Sequence, residues 1–314
     1  MSDMIQVTSS PHIYSGKSVK GIMWAVILAL IPTGLWGIWA FGPKALYLIA
    51  ASVITCVLTE AAILKLRKKP VPINDASACL TGLLLAYNVS PDLPIWAICI
   101  GAFFAIAVAK QAFGGLGRNI FNPALAGRAF LMASWPTYMV TFKNPRWQVD
   151  ALTSATPLTN IKHDFGFPIP SYLDLLIGNR GGCIGEVCIA ALLIGAVYLL
   201  YKKYIELRIP LFYIGTVAIL SWAFMGDRLF NGDWLFYILS GGLILGAFYM
   251  ATDYVTSPIT KNGKVIFGVL CGVLTFAIRK WGGYPEGVCY SILIMNAAVP
   301  LIERHTRPKR FGGK

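Results

Sequence analysis

Charged residues are scarce in this sequence. Asp, Glu, Lys and Arg make up 13% of its 314 residues, about half of the roughly 25% found in soluble domains. Hydrophobic residues make up 56%, and the mean hydropathy is +0.64. A water-soluble fold of this size is therefore excluded, and we expect the lipid bilayer to be the main solvent of the chain.

Signatures of several redox and nucleotide sites are also missing. The seven cysteines include no CxxC pair, which argues against an iron–sulfur cluster held by this chain alone, although a redox role for Cys183 or Cys188 stays open. The three histidines, His12, His163 and His305, lie outside the long apolar runs, which argues against a membrane haem with two histidine ligands. Without a Walker loop or a dinucleotide-binding glycine fingerprint, the chain is not expected to oxidise NADH by itself. We predict no catalytic residue and no metal ligand.

Long apolar runs recur along the chain, and several approach the roughly 20 residues that a helix needs to cross a bilayer. We therefore predict an all-α polytopic membrane protein with about ten transmembrane helices. The predicted spans are 22–41, 45–64, 76–89, 95–109, 120–135, 184–201, 209–225, 234–251, 265–278 and 287–302. The third and fifth spans are short and contain or adjoin glycine and proline, which is typical of broken or re-entrant helices.

Lysine and arginine are unevenly distributed among the segments that connect the spans. With the N-terminus placed in the cytoplasm, eighteen of them fall on the cytoplasmic side and eight on the opposite side, as the positive-inside rule requires. The prediction places both termini inside, with a cytoplasmic segment at 1–21 and a basic tail at 304–314. Contact with anionic lipid headgroups then explains the net charge of +13, and we expect no nucleic acid partner.

A weak internal repeat runs through the sequence. Residues 82–86 (GLLLA) match 242–246 (GLILG), and each string is followed by a Ser-Pro pair and then by a Gly-Gly pair. The matched spans, the third and the eighth, stand five apart, so the two membrane halves, 22–135 and 184–303, are predicted to be inverted relative to each other. Inverted repeats form many transporters and channels, with ligand sites where the halves meet. Chance similarity between apolar segments is the alternative.

A long hydrophilic segment, 136–183, separates the two halves and lies on the extracytoplasmic side of the predicted topology. It far exceeds the roughly 2 to 8 residues usual between packed helices, and connections of this length are usually functional or disordered. Residues 150–158 read DALTSATPL. The proline after Thr156 favours an extended, accessible threonine whose hydroxyl can be modified. A turn capped by serine and threonine is the plainer interpretation.

The string at 150–156 resembles the flavinylation motif of membrane redox complexes, Asp-x-x-(Ser/Thr)-(Gly/Ser)-Ala-Thr. Five residues are in register, with serine at the fifth position where glycine is commoner: Asp150, Thr153, Ser154, Ala155 and Thr156. Together with the chain length, the ten spans and the strings NPALAGRAFL at 122–131 and ATDYVTSP at 251–258, the motif makes the chain similar to the D subunits of the Rnf complex. The related B subunit of the sodium-translocating NADH:quinone oxidoreductase is similar but usually longer at its N-terminus.

The resemblance implies a cofactor, a location and partners. By it, the Thr156 hydroxyl forms a phosphoester with FMN, installed by a separate flavin transferase, and a second, non-covalent flavin (riboflavin or FMN) lies between the repeat halves. It further implies a multi-pass protein of a bacterial or archaeal cell membrane that relays electrons among the other Rnf subunits, A, B, C, E and G. The complex would couple ferredoxin:NAD redox chemistry to the translocation of Na⁺ or H⁺.

Four more residues are candidates for function, each with a plainer alternative. Arg128 falls within a span, and its functional interpretation is contact with a flavin or with a carboxylate such as Glu60. The alternative is an arginine that snorkels to the membrane surface or closes a structural ion pair. Asn122 marks either a flavin-binding break or a helix boundary. Glu60 in the second span and Asp253 at the inner end of the eighth are candidate ion-pathway residues, although solvation of a helix end also explains Asp253.

Two other function classes remain open from the sequence. The inverted repeat also suits a channel or secondary transporter for a small polar solute, which solute flux by the purified chain in liposomes would reveal. A purely structural scaffold of the complex is the third alternative, and it predicts that Thr156 variants retain coupled activity.

Overall fold

The structure is a computed structural model and describes residues 18–69, 75–147, 156–163, 169–226 and 228–307. The described residues are largely helical. In chain order the helices are α1 (Val19–Phe41), α2 (Pro43–Leu66), α3 (Ser77–Tyr87), α4 (Ile95–Ile106), α5 (Pro123–Ser134), α6 (Pro136–Val140), α7 (Pro157–His163), α8 (Tyr172–Ile177), α9 (Ile189–Tyr201), α10 (Arg208–Phe224), α11 (Trp234–Leu239), α12 (Leu243–Leu245), α13 (Lys261–Trp281) and α14 (Val288–Thr306). Two π-helical segments extend α4 and α12: Ala107–Gln111 and Gly246–Met250.

Three of these helices, α1, α2 and α13, are long and apolar enough to cross a membrane by length and composition. Shorter apolar helices accompany them: α3, α4 with its π-helical extension, α9 and α10. Large apolar side chains remain on the surface of the long helices, and Leu35 and Leu58 are each 63% exposed. The described chain is thus all-helical, with the composition and surface expected of a membrane protein.

Helix occupies each of the ten predicted ranges, although the number of crossings stays a prediction. The third and fifth ranges hold α3, with 11 residues, and α5, with 12. At 1.5 Å per residue each is under about 20 Å long, too short to cross a bilayer alone. Their shortness agrees with the expectation from their glycine and proline content.

The eighth predicted span, 234–251, is broken, although the sequence pattern predicts a continuous helix. Helix α11 ends at Leu239, and the chain turns through Ser240, Gly241 and Gly242 before α12 begins. Gly241 has a φ of +70°, a conformation that favours glycine. A π-helical segment then carries the chain to Met250, so this range contains two irregularities.

Three short helices, α3, α5 and α12, form the centre of the described structure. Side chains of α3, α5 and α12 that are at most 1% exposed include Leu85, Leu125, Leu131, Leu243 and Leu245. The irregular backbone is therefore surrounded by protein, which is the condition under which broken helices are tolerated at membrane depth.

Two tyrosines make similar contacts in the two predicted halves. The Tyr87 hydroxyl at the end of α3 donates to the Leu30 carbonyl of α1 at 2.9 Å, and the Tyr249 hydroxyl donates to the Leu192 carbonyl of α9 at 2.7 Å. Helices α1 and α9 also pack together closely at Gly195, where an added Cβ would overlap the Ala29 carbonyl oxygen. These contacts fit the predicted repeat, which otherwise remains a prediction.

The hydrophilic segment 136–183 carries three short helices, α6, α7 and α8, in its described parts. Ser171 begins α8 with a capping box, in which its hydroxyl and the Asp174 carboxylate each bond the other's backbone N–H. Hydrogen bonds from Ser171 and Asn179 hold the pKa of Asp174 below its ordinary value. Helix α7 is tethered by the Lys162 ammonium, which donates to the carbonyls of Ile278, Gly282 and Tyr284.

Candidate functional site

Thr156 immediately precedes α7 and caps it. Its hydroxyl oxygen accepts a hydrogen bond from the backbone N–H of Thr159 at 3.2 Å and lies 2.7 Å from the Thr159 hydroxyl, while Pro157 starts the helix. The residue is only 3% exposed, so the prediction that Thr156 is accessible is wrong. Four other residues of the predicted motif lie outside the described residues: Asp150, Thr153, Ser154 and Ala155.

Thr156 lines a cavity of about 520 Å³, which we call the threonine cavity. Other parts of its wall are Arg128, Tyr284, Glu286 and Tyr290. The rings of Tyr284 and Tyr290 stack with their centroids 5.1 Å apart. Part of this volume is open to solvent, and the wall combines aromatic surface with a few charged groups, as small-molecule sites do.

Arg128 is 4% exposed and therefore does not snorkel. Its guanidinium forms an ion pair with the Glu286 carboxylate and donates to the Asn88 side-chain oxygen at 3.1 Å. The predicted contact between Arg128 and Glu60 is wrong, because Glu60 pairs with Lys110. The arginine thus closes a buried ion pair and also lines the threonine cavity, which combines two interpretations that the sequence left as alternatives.

A second carboxylate, Glu186, lies behind this ion pair and is 2% exposed. Ligand atoms of Cys183, Glu186 and Glu286 lie within 4.8 Å of one another. A metal ion is disfavoured here because Arg128 already neutralises Glu286 and because the guanidinium of Arg180 is buried nearby, with an attraction to Glu186. Because the two guanidiniums compensate the two carboxylates, the site offers a cation no net negative charge.

Cys183 and Cys188 do not form a disulfide; both are free. The Cys183 sulfur lies 3.9 Å from the Arg128 guanidinium, whereas the Cys188 sulfur lies 3.8 Å from the carbonyl oxygen of Leu176. The two thiols thus have different surroundings, and only Cys183 belongs to the charged cluster beside the threonine cavity.

A larger cavity, of about 770 Å³, contains a buried lysine and is called the lysine cavity here. Lys110 belongs to the π-helical segment after α4 and is 1% exposed. Its ammonium lies 2.8 Å from a Glu60 oxygen and donates to the Ser77 hydroxyl at 2.7 Å. The Gln111 amide donates to the same Glu60 carboxylate at 2.7 Å. Glu60 is therefore fully engaged in an ion pair rather than open to solvent.

Asn122 and Asp253 both line the lysine cavity. The side-chain oxygen of Asn122 caps α5, accepting from the N–H groups of Ala124 at 3.1 Å and Leu125 at 3.4 Å. Asp253 lies beyond the end of its π-helical segment, where its carboxylate accepts from the Thr256 hydroxyl at 3.0 Å. Burial raises the pKa of this carboxyl, although the residue as a whole remains partly exposed. The structure thus brings Asn122 and Asp253 together.

A chain of buried contacts joins the two cavities. From the threonine cavity, Arg128 bonds to Asn88, and the Asn88 amide lies 3.5 Å from the sulfur of Met250. The amide of Asn122, at the lysine cavity, donates to the Met250 carbonyl at 3.3 Å. All four residues are at most 4% exposed, so the contacts exclude water.

Three charged residues of these sites were not predicted from the sequence: Lys110, Glu186 and Glu286. A usable signal existed for the two glutamates. The chain has only 14 acidic residues, and each of these two stands at or next to the start of an apolar span, where an ionisable group suggests function. Lys110 was counted only among the charges that orient the chain, because a lysine at a helix end is usually solvated.

Known proteins with similar sequences identify the family. The model of the NQR2, RnfD, RnfE family matches residues 6–312. A relative from Clostridium ljungdahlii, named as the D subunit of a proton-translocating ferredoxin:NAD(+) oxidoreductase complex, is 49% identical over 99% of this chain and 97% of its own length. The D subunit of the Na(+)-translocating complex of Acetobacterium woodii is 49% identical over 98% and 95%. The D subunit of the ion-translocating oxidoreductase complex of Citrobacter koseri is 35% identical over 98% and 99%. This chain belongs to the NQR2, RnfD, RnfE family.

Proposed function

We propose that this chain is the D subunit of a membrane-bound, ion-translocating ferredoxin:NAD oxidoreductase complex. In this proposal it spans the cell membrane about ten times in two inverted halves, with both termini in the cytoplasm, and relays electrons between partner subunits. The names of its relatives support the complex, because the similarity covers nearly all of each chain. Two relatives of equal identity are named for different ions, so similarity does not select between Na⁺ and H⁺.

The proposal includes an FMN esterified to Thr156, and one observation carries it. Thr156 ends the flavinylation motif and also lines a cavity whose wall carries aromatic and charged side chains. The residues there fit a flavin, since Tyr284 and Tyr290 offer aromatic surface and Arg128 offers a fixed positive charge. The bound flavin would supply the electron chemistry, while these side chains would set its position and exclude water.

Burial of Thr156 has a consequence for how the flavin is attached. A transferase reaches a hydroxyl that is 3% exposed only when α7 is displaced from its place against the rest of the protein. The hydrogen bonds from Lys162 to carbonyls at the C-terminal end of α13 oppose this displacement. Burial lowers the pKa of the Lys162 ammonium. We therefore expect attachment to precede the final packing of α7.

The lysine cavity is our candidate for the second, non-covalent flavin. Part of its volume of about 770 Å³ is open to solvent, and its lining is mainly apolar with a few polar groups, as in cofactor sites. The amides of Asn119 and Asn122 and the hydroxyl of Thr81 are among its lining groups, and they match the donors and acceptors along the edge of a flavin ring. Asp253 at the same cavity is the candidate for contact with the translocated ion, and Glu60 contributes through its ion pair with Lys110.

Mass spectrometry of the chain expressed with a flavin transferase tests the covalent site. We expect the mass of FMN on the peptide that contains Thr156, and a fluorescent band on a denaturing gel. Both signals should disappear in Thr156→Val. The matched control is Thr159→Val, whose hydroxyl lies 2.7 Å from that of Thr156 and which should keep the flavin.

Three outcomes would contradict the proposal. Retention of the flavin in Thr156→Val would place the attachment elsewhere, and an unmodified peptide from the native host would remove the cofactor. Full electron transfer by a complex that contains Thr156→Val would indicate a scaffold rather than a redox subunit.

A further inference from the structure

Two carboxyl groups from distant parts of the chain meet beside the threonine cavity. Glu186 lies shortly before α9 and is 2% exposed, and Glu286 lies shortly before α14 and is 9% exposed. Oxygens of the two carboxyl groups lie within 4.8 Å of each other. Glu286 also lines the threonine cavity, so the pair connects that cavity to the protein interior.

Each carboxyl group has one oxygen that finds no donor among the described residues. Glu186 accepts the Cys183 backbone N–H at 3.1 Å on Oε1, whereas its Oε2 is buried and unpaired. Glu286 uses Oε2 for its ion pair with Arg128, whereas its Oε1 is buried and unpaired. Two acceptors without a donor are unfavourable in a buried site, and a proton on either carboxyl group would convert one of these acceptors into a donor.

Arginines from the neighbouring segments surround the two carboxyl groups, and their hydrogen bonds show which acceptor each guanidinium contacts. Arg180 donates to the Glu186 backbone carbonyl at 3.1 Å, and Arg279 of α13 donates to the backbone carbonyls of Glu286, Tyr237 and Ser240. Arg128 of α5 is shared between Glu286 and Asn88. The Cys183 and Cys289 thiols are further titratable neighbours of the pair. None of these hydrogen bonds from an arginine ends on the Glu186 carboxylate.

This arrangement tolerates both protonation states. Two buried carboxylates that lie close together repel each other, which favours a proton shared by the pair. The guanidiniums of Arg128, Arg180 and Arg279 more than balance two negative charges when that proton is absent. With both carboxyl groups ionised the cluster carries one excess positive charge, so loss of the proton leaves no uncompensated negative charge in the protein interior.

We propose that Glu186 and Glu286 form a proton-binding site that holds one proton between them and exchanges it with the threonine cavity through Glu286. The exchange rests on the function proposed above, in which a redox group attached to Thr156 receives an electron from a one-electron carrier in a neighbouring subunit. The pair releases its proton into the cavity when the electron arrives and takes it back when the electron leaves. One proton therefore accompanies each electron, and no proton is consumed.

Infrared spectroscopy on the Thr156→Val protein tests the proton site without any flavin. At neutral pH we expect the C=O stretch of a protonated carboxyl group, shifted to lower frequency in D₂O. Glu186→Gln should remove it, as should Glu286→Gln. Glu206→Gln is the matched control, because Lys264 holds the pKa of that exposed carboxyl below its ordinary value and its loss should leave the band intact.

Glu286→Gln removes the ion-pair partner of Arg128 and could prevent folding. In that case the result for Glu186→Gln alone decides the test. Absence of the band from the Thr156→Val protein would overturn the proposal, and so would a band that persists in Glu186→Gln. These results do not depend on flavin, so they separate a failure of the proton site from a failure of the function proposed above.

A redox titration of the flavin-loaded complex tests the exchange. The midpoint potential of the flavin on Thr156 should vary with pH near neutrality, and Glu186→Gln should reduce or displace this variation, while Glu206→Gln should not. The same pH dependence in the unaltered and Glu186→Gln complexes would refute the exchange even if the infrared band is lost. An unmodified Thr156 would instead refute the proposed function alone.

Discussion

The ion pair between Lys110 and Glu60 should contribute strongly to the stability of the fold through its burial. Its atoms lie 2.8 Å apart, with side-chain exposures of 2% and 10%. Replacement of either partner alone leaves the other charge buried without its counter-ion, which costs about 3–5 kcal/mol. Lys110→Met and Glu60→Leu should therefore each lower the free energy of unfolding by about that amount.

The double variant should be far less destabilised than the two single variants together. It removes both charges and leaves mainly the Gln111 amide without its acceptor, at a cost of about 1–3 kcal/mol. The coupling energy in the double-mutant cycle should thus reach about 3 kcal/mol or more. The matched control is the pair Lys264 and Glu206, 3.0 Å apart but with side-chain exposures of 19% and 53%, for which the coupling should be about 0–1 kcal/mol.

Unfolding by sodium dodecyl sulfate in mixed micelles, followed by the fluorescence of the nine tryptophans, measures these energies. If the coupling of Lys110 and Glu60 equalled that of the exposed control pair, water would reach the lysine cavity well enough to screen the charges. The reasoning from burial would then be refuted.

Two further predictions concern packing and a helix cap. Gly195→Ala should destabilise the protein by about 1–3 kcal/mol, because the new Cβ overlaps the backbone of α1. The control is Gly215→Ala, which should not destabilise the protein in this way because its Cβ would meet nothing within 4 Å. Equal destabilisation by the two substitutions would contradict the packing argument. The lowered pKa of Asp174 means that its capping box stabilises α8 at neutral pH and that this contribution is lost as the pH falls through the folded-state pKa. The protection of α8 amides from hydrogen exchange, taken relative to the intrinsic exchange rate at each pH, should therefore fall at acidic pH in the unaltered protein but not in Asp174→Asn. The same fall in both would show that another group is responsible.

The helical ranges were predictable because apolar runs of this length have few alternatives in a chain so poor in charge. The break at Ser240, Gly241 and Gly242 was less predictable. A Gly-Gly pair within an apolar run is also common in continuous membrane helices, and only the packing around it decides whether the helix ends. The π-helical segments were also not predictable, because no local sequence pattern indicates them.

The candidate sites show where sequence reasoning stops. The sequence predicted that Arg128, as a charge within a span, could pair with a carboxylate. Its partner in the structure, Glu286, lies 158 residues away in the chain. The sequence contains several acidic residues near predicted spans, and choosing among them requires the packing of α5 against the segment before α14. Thr156 was identified by its motif, whereas its burial depends on neighbours such as Glu286 and Tyr290 that are equally remote.

Helix α5 bears on how both cavities behave. Asn122 caps its first turn at the lysine cavity, and Arg128 stands six residues later at the threonine cavity, about 9 Å further along the axis. Because a short α-helix moves as a rigid rod, a shift that a ligand causes at either end displaces the residue at the other end. Helix α5 therefore couples the lysine cavity to the threonine cavity. Adapting one cavity to a larger or smaller ligand without disturbing the other would require substitutions outside α5.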